Sequence, residues 1–172
     1  MARPAAHDDG QRTSTTRRLT LAGLFAALAV LLSLFAVPVG GARVLPFQHA
    51  INAVAGVMLG PWWAAGSALV AAGLRISFGL GTPFALVGSP FGAIAVGLVY
   101  RFWRRDEAAL FEPVGTVLVG APLGAIMISP LLDLGAAGGT LALMISFALS
   151  SIPGAILGYV LLKALRKAGA IR

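Results

Sequence analysis

Apolar residues come in runs long enough to cross a lipid bilayer, and this fixes the solvent in which most of the chain has to fold. A helix needs roughly 20 apolar residues to cross a hydrocarbon core about 30 Å thick. Residues 19–37, 82–100, 114–132 and 141–162 reach that length, and 47–79 exceeds it. In lipid every backbone N–H and C=O must be paired inside the protein, so such runs are helices. Of the 172 residues, 58% are hydrophobic and 11% charged. The reading is an all-α, polytopic membrane protein with one domain over residues 19–172. Residues 1–18 are polar and contain Pro, Gly, Asp, Ser and Thr, and are expected to form a disordered cytoplasmic tail. The stretch T-R-R-L-T-L at 16–21 mimics a twin-arginine export signal, but Thr20 and Leu21 stand where two large apolar residues are usual. More spans follow, so a retained first span is expected rather than a cleaved signal.

Charge decides whether 47–79 crosses once or twice. One crossing gives five spans and puts Arg17 and Arg18 opposite the clusters at Arg101, Arg104, Arg105 and at Lys163, Arg166, Lys167, Arg172. Two crossings give six transmembrane helices with both the N and C termini cytoplasmic. Only Arg43 and Arg75 then lie outside, so eleven of the 13 Lys and Arg are inside. The positive-inside rule selects six. The turn chemistry agrees: Gly60 suits the end of one helix, Pro61 the first position of the next, and Trp62 and Trp63 the headgroup interface. The first helix of this pair, 47–59, is about 20 Å long and is expected to stop below the outer surface. Small residues four apart (Ala22/Ala26, Gly88/Gly92, Ala93/Gly97, Gly120/Gly124, Gly154/Gly158) let helix backbones approach closely. Pro122, Pro130 and Pro153 are expected to kink the last two spans.

The +7 formal charge does not indicate nucleic acid, because the basic residues sit at the ends of apolar runs rather than on a face with aromatic platforms. Cysteine is absent, which removes disulfides and thiol chemistry. The only histidines are His7 and His49, a poor basis for a metal site, and no cofactor is implied. No G-x-x-x-x-G-K-[ST], H-E-x-x-H or G-x-S-x-G occurs, so the chain has neither a P-loop nor a common hydrolase motif. No Asp or Glu falls inside any of the six expected spans, which leaves no carboxylate for a proton relay. A chain that can hold a small molecule and cannot energise its movement reads as a binding subunit driven by partners, not as an enzyme.

The candidate binding residues open the short helix. In P-F-Q-H-A-I-N (46–52), Gln48, His49 and Asn52 fall within about a 100° arc, one polar face at an outer helix end. The loop before it carries Arg43 between Pro38 and Pro46, and R-I-S-F-G-L-G-T (75–82) carries Arg75 and Thr82 to the next outer connection. Interhelical hydrogen bonding is the plainer use of one such residue, but three on one face beside glycine-rich loops indicate a ligand chamber. Arginines placed like Arg43 and Arg75 more often anchor lipid phosphates or pair with a carboxylate such as Asp133.

Four stretches together resemble the ThiW family: P-F-Q-H-A-I-N, L-G-P-W-W (59–63), residues 75–82, and G-S-P-F-G-A-I-A-V-G-L-V-Y-R (88–101). The departure is Val87, in A-L-V-G-S, where the family tends to have proline. The resemblance implies a substrate-binding S component of an energy-coupling factor (ECF) transporter in a bacterial or archaeal cell membrane. It implies a pocket near the outer face for the thiazole precursor of thiamine, a transmembrane coupling subunit, and two ABC ATPases as partners. Ala22, Ala26 and Ala29 resemble the small-residue stripe that S components offer the coupling subunit, with packing inside the chain as the alternative. The neutral donors and acceptors of Gln48, His49 and Asn52 suit an uncharged hydroxyethylthiazole better than cationic thiamine. A standalone facilitator or channel for a neutral solute, and a structural subunit without ligand, remain alternatives at this point.

Overall fold

The computed structural model describes residues 8–39, 42–135 and 139–171. Six helical segments make up the bundle among these residues: α1 (Asp8–Leu32), α2 (Pro46–Leu59), α3 (Pro61–Ser77), α4 (Ala85–Trp103), α5 (Asp106–Met127) and α6 (Thr140–Lys167). Between α1 and α2 the outer loop is a hairpin, β1 (Val37–Val39) antiparallel to β2 (Ala42–Val44), with Pro38 opposite Arg43. Among the described residues this two-stranded element is the one exception to the all-α expectation. Because the hairpin takes up Val37, the first helix stops at Leu32 and does not reach the expected 37.

Helix α1 also starts earlier than the expected span. No proline lies between Asp8 and Val37 to interrupt the backbone, so the helix runs through most of the stretch read as a disordered tail. The rest of that stretch, residues 1–7, lies outside the described residues. Residues 47–79 form two helices, as the Gly60-Pro61 pair predicts. Gly60 takes φ 82°, a left-handed conformation that suits glycine, and Pro61 then starts α3 where no N–H is needed.

Among the described residues four helical segments are long and apolar enough to cross a membrane: 14–32 within α1, α4, α5 and α6. The other two are shorter, 14 residues for α2 and 17 for α3. Packing explains how so short a helix is tolerated. Twelve of the 14 residues of α2 are buried, because α1, α3, α4 and α6 surround it. Lipid barely touches it, and its recessed start leaves a space above.

The segment α5 is irregular. A 3₁₀ stretch (Asp106–Phe111) leads into one α turn (Glu112–Gly115), a π turn (Thr116–Gly120) and a final α stretch (Ala121–Met127). Pro122 has no N–H for the carbonyl four residues back, and the helix widens in the turn before it. The segment begins at Asp106, not at the expected 114, and this brings Glu112 inside. The expectation that no carboxylate lies within a span is therefore corrected. Glu112 is fully buried, which is possible because His49 and Thr116 hydrogen-bond it.

The glycines mark where helices meet. A Cβ on Gly115 would overlap the Phe91 carbonyl of α4, one on Gly120 would meet the backbone at Gly88, and one on Gly154 would meet Pro46 and His49 of α2. Pro90 and Pro153 lie inside α4 and α6. Ala22, Ala26 and Ala29 are buried in the main apolar core with Phe25, Ala64, Ala68 and Ala71. The face they form is covered by the chain's own helices, α3 above all, which is the packing inside the chain given above as the alternative to a contact with the coupling subunit.

Charge separates the two ends. Arg17, Arg18, Tyr100 and Arg166 border one groove, beside a second formed by Arg104, Arg105, Asp106, Glu107, Lys163 and Arg166. Arg166 Nε reaches both Asp106 carboxylate oxygens at 2.7 and 2.8 Å, and Lys163 pairs with Glu107 at 3.2 Å. The hairpin, the 79–84 connection and the starts of α2 and α4 form the other end.

Candidate substrate-binding site

At that second end lies a cavity of about 440 Å³, within the range usual for small-molecule sites. The first turn of α2 supplies its floor through Gln48 and His49. The 75–82 stretch supplies Arg75, Leu80 and Thr82, the start of α4 supplies Ala85, Gly88 and Ser89, and α6 supplies Leu143, Ser146, Phe147 and Ser150. Arg43 reaches it from β2 and Thr116 from α5. Apolar and aromatic walls with a few converging polar groups are what a small heterocycle requires.

Two hydrogen-bonded chains support these polar groups. In the first, Arg75 Nη1 donates to Gln48 Oε1, and Gln48 Nε2 donates to Ser89 Oγ. This fixes the orientation of the Gln48 amide and ties α2 to both α3 and α4. The guanidinium lies beneath the Gly79–Thr82 turn, close to Gly81, and Nη2 points at the Leu80 carbonyl at 3.5 Å. In the second chain, His49 Nδ1 lies 2.7 Å from Glu112 Oε1, and the Thr116 hydroxyl donates to the same oxygen at 2.8 Å. Glu112 Oε1 is thus shared between the Thr116 hydroxyl and a ring nitrogen of His49, and this fixes the orientation of the imidazole. Gly92 makes this arrangement possible, because a Cβ there would overlap both Glu112 and Thr116.

Of the expected ligand residues, Gln48, His49, Arg75, Thr82 and Arg43 line the cavity, with Thr82 and Arg43 exposed at its mouth. Asn52 does not. It lies one turn deeper in α2, buried, and its Nδ2 donates to the Ser89 carbonyl at 3.3 Å. Asn52 thus holds α4 against α2, the interhelical role that was the plainer reading. Ser89, Glu112, Thr116 and the α6 residues were not anticipated. The available signal was Glu112 itself, a carboxylate just ahead of an apolar run, in a bundle with one histidine able to meet it.

Residues 19–168 match the family described as thiamine-precursor transporter protein, ThiW. The chain belongs to the ThiW family. It is accordingly a multi-pass membrane transport protein rather than an enzyme. A crystal structure of the S component for biotin from an ECF-type ABC transporter superposes with a TM-score of 0.61, covering 94% of this chain and 95% of that one at 21% identity. The likeness is one of fold. A comparison with curated protein sequences returns no match.

Proposed function

We propose that this ThiW-family chain is the substrate-binding component of an ECF-type importer and takes a thiazole-class thiamine precursor, with hydroxyethylthiazole as the reference ligand, from the extracellular side. The observation that carries the reading is the cavity above α2, where Gln48 and His49 stand oriented by buried partners inside a bundle with an S-component fold. In this reading all six helices cross the membrane, and α2 does so inside a sheath of the others. The basic end faces the cytoplasm under the positive-inside rule, so the cavity opens outward. The cell is bacterial or archaeal, and a transmembrane coupling subunit with two ABC ATPases supplies the energy. A second cavity at the basic end shares no lining residue with the first, which gives a continuous pore no support.

Calorimetry on the purified chain tests this. Hydroxyethylthiazole is expected to bind saturably. Gln48→Ala leaves Arg75 Nη1 and Ser89 Oγ without their partner and is expected to weaken binding by about 1–3 kcal/mol. Asn52→Ala, remote from the cavity, is expected to change affinity far less. Failure of the wild type to bind any thiazole of this class, neutral or anionic, or passive flux of the ligand through liposomes containing this chain alone, would overturn the reading.

A further inference from the structure

The cavity's charge is one-sided. Arg75 is 1% exposed, and no carboxylate pairs with it among the described residues: its donors meet Gln48 and the Leu80 carbonyl, and Nε has no partner at all. A buried cation without a counter-ion is costly, and neutral amide acceptors offset only part of that cost. Arg43 adds a second positive charge at the mouth, and no Asp or Glu lines the space. The first turns of α2 and α4 also face it, each helix N-terminus carrying roughly half a positive charge. The Glu112 carboxylate behind the lining is taken up by His49 and Thr116, so a purely neutral guest would leave Arg43 and Arg75 without an anionic partner in the cavity.

We infer that the cavity takes its heterocycle in an anionic form, with a carboxylate or phosphate group directed to the Arg43 and Arg75 side and the ring against Phe84, Leu143 and Phe147. The inference rests on the reading of this cavity as the substrate site and names the class of substrate it selects.

The test compares three probes on the full chain in phospholipid-free detergent: hydroxyethylthiazole, its phosphate monoester, and 4-methylthiazole-5-carboxylate. At least one anionic probe is expected to bind about tenfold or more tightly than the neutral alcohol, with an advantage that shrinks as salt rises. Arg43→Gln, at an exposed position, is expected to reduce the advantage, and Arg75→Gln to abolish it. If Arg75→Gln does not fold, Arg43→Gln alone decides. An alcohol that binds as tightly as both anions overturns the inference and leaves the substrate site standing. Failure of all three probes to bind overturns both. Loss of the advantage on adding phosphatidylglycerol vesicles assigns the arginines to a lipid headgroup and also overturns the inference.

Discussion

Glu112 and His49 are a buried pair whose value depends on both members being present. The carboxylate is fully buried and accepts from His49 and Thr116 through one oxygen, while its other oxygen has no partner. Replacing one member strands the other in a low-dielectric interior. His49→Leu is therefore expected to destabilise the fold by about 3–5 kcal/mol, whereas replacing both, His49→Leu with Glu112→Leu, should recover most of that loss. Chemical unfolding in mixed micelles measures both. A double variant as unstable as the single one would show that the pair contributes more than mutual compensation. Ligand binding is expected to be impaired in both variants, because each loses the His49 ring that lines the cavity.

At the level of elements, the bundle is held by close backbone contact rather than by large side chains. Helices α4 and α5 touch where Gly115 meets the Phe91 carbonyl and where Gly120 meets Gly88. A methyl group at Gly115 has no flexible neighbour to displace, so Gly115→Ala has to separate the two helices. A cost of about 1–3 kcal/mol is expected, together with weaker ligand binding, since Thr116 and Gly88 move with that contact. Gly66 in α3 is the control: nothing lies within 4 Å of a Cβ there, and Gly66→Ala is expected to leave stability within about 0.5 kcal/mol of wild type or slightly above it. Equal effects from the two substitutions would show that α4 and α5 do not depend on this approach.

For the whole molecule, the separation of charge between the two ends is expected to set the orientation in the membrane. The chain contains no cysteine, so single introduced cysteines report sidedness without background. Thr82→Cys, at the mouth of the cavity, is expected to react with a membrane-impermeant maleimide in intact cells. Lys167→Cys, at the basic end, is expected to react only after permeabilisation. The opposite pattern would turn the cavity toward the cytoplasm and remove the case for capture from outside.

The helical, polytopic character of the protein, the break at Gly60 and the placing of Gln48, His49 and Arg75 near one end were legible in the sequence, because each depends on local properties: run length, turn chemistry, spacing along one helix and charge near span ends. The reach of α1 back to Asp8, the hairpin, the central position of α2 and the contribution of Glu112 and Thr116 depended on which helices pack together. Asn52 shows the limit most clearly. It shares the polar arc of Gln48 and His49, yet the neighbouring α4 backbone claims it one turn below the cavity floor. A linear pattern gives the direction of a side chain on its own helix, but only the surrounding helices determine whether a void, a carbonyl or a buried carboxylate lies in that direction.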